Sequence, residues 1–211
     1  MANMEIRPLM ARVAVMRPDL HGTHHIAHAL FEAIRLVATR THLMRETVTL
    51  TVSAASDRVT IAPSSGNSLL KVWRVTGKLD TDASYTYLDE AAFQEFDSWA
   101  ASAAPSTTRF PGYWAQRGEL LIFSAAPATQ GSVKAEISYT PTFEKDTYDL
   151  PEIATEAIIA WAEGFLLKIP GPNVNLNYAQ SRENDYKRCI NQLRGLSYFG
   201  ESGELGLRLL P

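Results

Sequence analysis

Residues 46 to 66, ETVTLTVSAASDRVTIAPSSG, contain the change of hydrophobic period that decides the fold class. Through this stretch apolar residues alternate with threonine or serine, which is typical of β-strands that bury one face. The letters ASD at residues 55 to 57 predict a turn between two such strands. Upstream of Glu46 the apolar residues recur at helical spacing instead. The sequence therefore predicts a helical region that gives way to a β region at this point.

Two helices are predicted upstream of this change. The first covers Glu5 to Met16, is interrupted early by Pro8, and is stopped by Pro18. The second covers about His24 to Thr41. Five of its apolar residues fall on one stripe at 100° per residue, and this stripe should face the core: Ile26, Leu30, Ala33, Ile34 and Val37.

Downstream of residue 66 the sequence predicts further strands. SLLKVWRVTGKL, residues 68 to 79, predicts a strand that is broken at Gly77. Residues 89 to 102, DEAAFQEFDSWAAS, predict a short helix or a loop insertion. Residues 105 to 141 predict three strands, with a turn at Gly118 between the first two. The β region therefore has about six strands.

Helical spacing returns after Pro151, which suits the first position of a helix. EIATEAIIAWAEGFLLKI, residues 152 to 169, is apolar on nearly all sides and predicts a buried helix. Residues 178 to 195 predict a more polar last helix that ends at Gly195. The residues that follow show no period, and six large apolar side chains among them predict an extended tail: Tyr198, Phe199, Leu205, Leu207, Leu209 and Leu210.

Together these elements predict an α+β chain. Residues 1–45 and 150–195 supply the N- and C-terminal helices, which form one helical bundle. Residues 46–149 form an inserted antiparallel β-sandwich or barrel of about six strands. Residues 196–211 form the extended C-terminal tail.

Composition and charge narrow the classes of function. The 211 residues are 45% hydrophobic and 20% charged, as in a soluble globular protein, and the single cysteine, Cys189, excludes an internal disulfide. The formal net charge of −3 provides no overall basic field for holding nucleic acid. The N-terminal residues lack the apolar region of a signal peptide, and no run approaches the roughly 20 apolar residues of a membrane helix.

Four of the five histidines lie within the letters HGTHHIAHAL. His21, His24 and His28 recur at helical spacing, opposite the core stripe of their own helix, and His25 adjoins them. Two histidines four residues apart can bind one metal ion from a helix face. However, the zinc-protease pattern needs a glutamate where His25 stands, and His42 is the only other histidine. We therefore interpret the cluster as a pH-sensitive polar surface, exposed to solvent or to a neighbouring subunit, and expect no metal.

The chain carries no recognisable catalytic or cofactor motif. PSSGNS lacks the spacing of a nucleophile elbow, and no glycine-rich phosphate loop joins a strand to a helix. We interpret four carboxylates as parts of a solvated loop rather than as a catalytic pair: Asp80, Asp82, Asp89 and Glu90. The tryptophans are expected to be core or interface anchors: Trp73, Trp99, Trp114 and Trp161. The sequence therefore predicts no catalytic residue, no cofactor and no enzymatic reaction.

The stretch from Phe110 to Leu167 follows a family pattern. The pattern is Pro-x-x-Tyr, a short turn, an apolar strand ending in proline, a strand ending in Tyr-x-x-Pro, and a Leu-Pro that opens a helix. Its positions in this chain are Pro111 with Tyr113 or Trp114, Gly118, Pro127, Pro141 and Leu150-Pro151. The first spacing is one residue short unless Trp114 takes the aromatic place. On these motifs the chain resembles the head-to-tail adaptor (connector) proteins of tailed bacteriophages, over most of residues 20 to 168.

The resemblance implies a structural protein of the virion neck that is assembled in the cytoplasm of the host bacterium. Copies of the chain would form a ring of about a dozen subunits below the portal protein. The ring would extend the DNA channel and provide the platform for a tail or nozzle protein. Genomic DNA would pass through the channel without sequence-specific binding.

The tail is expected to bind the portal protein or a neighbouring subunit. Tyr198 and Phe199 would anchor its start. The remaining contacts would come from four leucines, whose alternation suits addition to a sheet edge of the partner: Leu205, Leu207, Leu209 and Leu210. Packing of the tail on its own helices is the alternative.

Two other functions stay open at this point. One is another tail, neck-completion or baseplate protein of the virion. The other is a wall-degrading peptidoglycan hydrolase carried in the virion, which would need a pair of Glu or Asp side chains in a cleft.

Overall fold

The computed structural model describes residues 4–20, 24–64, 67–92, 109–148 and 150–199. The chain divides into two compact units. A β unit is formed by the contiguous segment Arg45–Thr140. A helical unit is formed by Met1–Met44 together with Pro141–Pro211. Helices and strands thus segregate along the chain, and the predicted α+β fold class is confirmed.

The described residues of the helical unit contain four α-helices and one short ladder. The helices are α1 (Ile6–Ala14), α2 (His24–Thr41), α3 (Thr155–Leu166) and α4 (Leu176–Phe199), with 3₁₀ turns at Pro18–Leu20 and Glu152–Ala154. The ladder pairs β1 (Met4–Glu5) with β9 (Thr147–Tyr148) in antiparallel orientation. No helix in the described ranges is long and apolar enough to cross a membrane.

Helix α2 forms and packs as its apolar stripe predicts. Its bounds are those predicted, and the five stripe residues are at most 3% exposed. Helix α2 contacts α1, α3 and α4, so its stripe is the centre of the helical unit. Helix α3 is buried along most of its length, as its all-round apolar sequence predicts.

Two predicted features of the helical unit are wrong. Pro151 does not open an α-helix directly, because a 3₁₀ turn follows it and α3 begins at Thr155. Helix α4 does not end at Gly195 but continues to Phe199. A glycine ends a helix when it adopts the left-handed conformation, and Gly195 does not have a positive φ.

The β unit is built on one sheet of seven strands, against the predicted six or so. The strands are β2 (Arg45–Val52), β3 (Arg58–Thr60), β4 (Asn67–Leu79), β5 (Thr86–Glu90), β6 (Tyr113–Arg117), β7 (Leu120–Phe123) and β8 (Gly131–Pro141). Their order in the sheet is β2-β8-β4-β5-β6-β7-β3. The end strands β2 and β3 also contact each other, so the sheet is nearly closed into a barrel.

The pairing of the strands is antiparallel with one exception. Strands β2 and β8 pair from Arg45↔Ser138 to Val52↔Gly131. Strands β6 and β7 form a hairpin whose predicted turn is confirmed by Gly118, which has a φ of 59°. Strands β5 and β6 are parallel, so the prediction of a wholly antiparallel sheet is wrong for this pair. The connection between them is long enough for the crossover that parallel strands require.

The predicted break at Gly77 is also wrong, because β4 runs through it to Leu79. The reason is a packing contact with a residue that is distant in sequence. A Cβ atom added at Gly77 would lie 2.5 Å from the Phe110 ring, and one added at Gly131 would lie 2.9 Å from another edge of that ring. The two glycines therefore make room for Phe110 in the barrel core. Phe110 also packs edge-on against Phe123.

Candidate functional site

The helical unit contains a cavity of about 260 Å³. Helices α1 and α2 supply its apolar walls, and the segment that leads into β9 supplies its charged rim. The lining residues are Ile6, Met10, Ala27, Phe31, Ile34, Glu144, Lys145, Asp146 and Tyr148. The cavity is thus lined by apolar side chains of the two helices and by three charged residues of the segment before β9.

Backbone pairing with the N-terminal strand and one local hydrogen bond hold the rim segment in place. The β1–β9 ladder joins Met4 to Tyr148, and the Ile6 backbone N–H donates to the Asp146 carbonyl oxygen at 3.0 Å. The Lys145 backbone N–H donates to Tyr148 Oη at 2.8 Å. The Tyr148 hydroxyl is protonated at neutral pH even at its ordinary pKa, and burial raises that pKa further. The rim is therefore an ordered wall of the cavity.

The histidine cluster lies beside the wall that α2 contributes to the cavity. His24, His25 and His28 are exposed, which confirms that they point away from the core stripe. At 100° per residue, His24 and His28 point within about 60° of Phe31, which lines the cavity. The ring centroids of His24 and His25 are 4.5 Å apart. The imidazoles thus form an exposed polar surface on the flank of α2 that adjoins the cavity.

The predicted absence of a metal site remains a prediction. Within the described part of the chain, no three His, Cys, Asp or Glu side chains are grouped as a metal would require. His21 lies outside the described residues.

The predicted tail residues fall in two places. Tyr198 and Phe199 belong to the backbone of helix α4, so the prediction of an extended tail from residue 196 is wrong for these two residues. The four tail leucines lie outside the described residues: Leu205, Leu207, Leu209 and Leu210. The single cysteine, Cys189, lies half-buried on α4, where burial raises the pKa of its thiol.

The four carboxylates that were interpreted as a solvated loop lie on the β unit. Asp80 accepts a hydrogen bond from Gln130 Nε2 at 3.1 Å, and Asp82 accepts one from the Leu79 backbone N–H at 3.0 Å. Asp89 and Glu90 are exposed on β5. Two of the four carboxylates thus hold a turn.

The tryptophans differ in their surroundings. Trp114 is 1% exposed and donates from Nε1 to the Leu88 carbonyl oxygen, which confirms it as a core anchor. Trp161 stacks on Phe165 in α3. Trp73 lies on the β unit between two cationic side chains, and Trp99 lies outside the described residues.

The comparison with protein families decides the class of protein. The family model for the SU10 adaptor protein matches residues 5–201. The chain belongs to the SU10 adaptor protein family. It is therefore a phage structural adaptor, which agrees with the resemblance found at residues 110–167. No curated protein matches the chain.

The match covers both units of the structure. It begins at Glu5, in strand β1, and extends beyond the last residue of α4. It therefore includes the α4 sequence, in which no resemblance was recognisable from motifs. The sequence carried one signal for the cavity: Ala27 and Phe31 widen the apolar surface of α2 at helical spacing, next to Ile34 of the core stripe.

Proposed function

We propose that this protein is a head-to-tail adaptor that forms a ring below the portal, extends the DNA channel and carries the tail. The family match over residues 5–201 carries this proposal, because it places the whole two-unit fold in a family of phage structural adaptors. The partners are the portal protein, further copies of the chain and a tail or nozzle protein. Genomic DNA passes through the ring.

The C-terminal segment is the proposed attachment to the portal. Helix α4 has 24 residues and is therefore about 36 Å long. It carries the chain away from its start at Leu176 before residues 200–211 begin. The alternating leucines of that segment suit addition to a sheet edge, and a buried leucine contributes roughly 1.5–3 kcal/mol.

A wall-degrading hydrolase is the weaker proposal. The cavity has two carboxylates among its lining residues, Glu144 and Asp146. They lie two residues apart on one segment, at one side of the cavity. A glycoside hydrolase needs its two carboxylates on opposite sides of the bond that is cleaved. This arrangement favours a structural role, as does the family.

Native mass spectrometry of the full chain with its portal tests the adaptor proposal. A complex that contains a closed ring of this chain on the portal ring is the expected result. A strict one-to-one complex, or no complex at all, would contradict it. A tail or baseplate protein from elsewhere in the virion would give the latter outcome.

Removal of residues 200–211 tests the role of the C-terminal segment. This deletion keeps α4 intact, so the truncated chain should retain its far-ultraviolet circular dichroism and lose portal binding. A chain with Leu205, Leu207 and Leu209 all changed to serine should also lose binding, whereas the matched change of Glu201 and Glu204 to glutamine should not. Unchanged binding by the leucine variant would show that the segment does not dock.

A further inference from the structure

The outer surface of the barrel carries a group of cationic and aromatic side chains on strands β2, β8, β4 and β5. These four strands are consecutive in the sheet. We call this surface the basic face, and its members are Arg45, Lys71, Trp73, Arg74, Lys78, Tyr85, Tyr87 and Lys134.

The alternation of the strands directs these side chains outward. Lys71 precedes Val72, and Lys134 lies between Val133 and Ala135, all three of which are fully buried in the barrel core. Successive side chains of a strand point to opposite faces of a sheet, so both lysines lie on the outside. Both are exposed.

Each aromatic ring of the basic face is contacted by at least one cation. Around Trp73, the guanidinium carbon of Arg45 lies 4.3 Å from the ring centroid and Lys71 Nζ lies 4.1 Å from it. These contacts join a residue of β2 to two residues of β4. Both cations thus pack against the ring, and Arg45 also donates from Nη1 to Glu136 Oε1.

A second pair of contacts repeats this arrangement at Tyr85, the residue before β5. Lys134 Nζ lies 4.5 Å and Lys78 Nζ 5.4 Å from the centroid of Tyr85. Arg74 covers Tyr87, a side chain that is 72% exposed, at 5.2 Å. These cations thus pack against aromatic rings, and a side chain held in this way loses less conformational entropy on binding an anion than an extended lysine does.

The basic face is positive although the whole chain is negative. Its strands carry five cations and four carboxylates. Of these carboxylates, Glu136 and Asp89 adjoin buried residues and therefore lie on the same side of the sheet as the cations, whereas Glu46 and Glu90 alternate to the other side. Glu136 pairs with Arg45 at 3.3 Å. Asp80 and Asp82 lie at the turn after β4, where they hold the hydrogen bonds described above. The formal net charge of −3 for the chain hides this local excess.

We propose that the basic face binds the phosphate backbone of double-stranded DNA. The row from Lys71 to Lys78 covers seven residue steps along β4, or roughly 23 Å at about 3.3 Å per residue. Over that length duplex DNA carries a phosphate about every 1.7 Å of its axis, so the spacing of the cations does not have to match the spacing of the phosphates. Two cations contact each of the rings of Trp73 and Tyr85, which leaves these two rings poorly suited to stacking unpaired bases. The inference does not depend on the ring or on the portal.

Fluorescence anisotropy of a labelled DNA duplex, titrated with the full chain at several salt concentrations, tests the proposal. The wild-type chain should bind duplexes of unrelated sequence equally, and log K should fall linearly with log salt. The combined K71Q, K78Q and K134Q variant should bind more weakly. Its slope of log K against log salt should be less steep by about 0.9 for each phosphate contact removed, or about 2.7 in all.

The matched control removes three charges from the helical unit. The K187Q, R188Q and R194Q variant has the same change in net charge, and its affinity and slope should differ little from the wild type. If the lysine variant loses its native circular dichroism, the single variants K71Q and K134Q replace it. The salt dependence of each should be less steep than that of the wild type by about 0.9.

Three results would overturn the proposal. One is the absence of duplex binding at low salt. Another is an equal loss of binding in the control variant. The third is tighter binding of polyglutamate than of DNA at matched charge, which would assign the basic face to an acidic protein partner.

Discussion

Replacing Arg17 with methionine should destabilise the helical unit far more than the same replacement at Arg12. Arg17 is fully buried, and its guanidinium joins two loops of this unit. It donates to the backbone carbonyl oxygens of Leu166 and Ile169, at 2.9 Å for the latter, and forms a two-bond pair with Asp19 at 2.9 and 2.7 Å. Methionine preserves the apolar stem and removes the five N–H donors.

The size of the effect follows from these contacts. A hydrogen bond from a charged donor contributes about 1.5–3 kcal/mol. In the variant the buried carbonyl oxygen of Leu166 and the partly buried one of Ile169 both lose this donor. Breaking a buried ion pair from one side costs about 3–5 kcal/mol, and we take this range for Arg17→Met. Arg12 pairs with Glu156 at 2.8 Å, but both side chains are more than half exposed, so Arg12→Met should cost less than about 1 kcal/mol.

Urea unfolding followed by far-ultraviolet circular dichroism measures the difference. The signal reports on α1–α4, all of which belong to the helical unit. At a slope of about 2 kcal/mol per molar urea, Arg17→Met should lower the midpoint by about 1.5–2.5 M. Equal midpoints for the two variants would refute the argument that the buried guanidinium holds the loops together.

Two further predictions concern packing and pH. Gly77→Ala should destabilise the β unit by about 1–3 kcal/mol, because its Cβ would overlap the Phe110 ring. Thermal unfolding measures the loss, and adding Phe110→Leu to the same chain should restore part of the lost stability. Burial raises the pKa of Glu163 in the folded chain, although Arg182 Nε lies 2.6 Å away. Folding therefore favours the protonated carboxyl, and wild-type stability should fall relative to Glu163→Gln as pH rises through that raised pKa; a pH-independent difference between the two proteins would contradict this.

The helical elements could be predicted because their signal is local. The bounds of α2 follow from one apolar stripe, and the burial of α3 follows from a segment that is apolar on all sides. The end of α4 could not be predicted in the same way. Gly195 permits a helix end but does not require one, and the backbone at this residue is helical.

The β unit shows where local signals fail. Gly77 resembles a strand break in isolation, and only the approach of Phe110 from a distant part of the chain explains a glycine inside β4. The parallel pairing of β5 with β6 is a matter of strand direction, which the alternation of apolar and polar residues does not specify.

The candidate sites required the fold. The cavity combines α1 and α2 with a segment more than 100 residues later in the chain. The basic face depends on the strand order, which brings Arg45 of β2 to the same ring as Lys71 of β4. The formal net charge of the whole chain is −3 and does not predict this surface, because a net charge does not say where the charged residues lie.

The division of the chain into a contiguous unit and an interrupted one has a consequence for biosynthesis. The β unit, Arg45–Thr140, can fold as soon as it has left the ribosome. The apolar stripe of α2 must wait for α3, which begins 114 residues after Thr41. At about 5–20 residues per second this delay is roughly 6–23 seconds, during which α1 and α2 have no C-terminal partner helices. The nascent chain is therefore most prone to aggregation and chaperone binding while its β unit is already native, and a slower synthesis rate should lower the yield through the helical unit first.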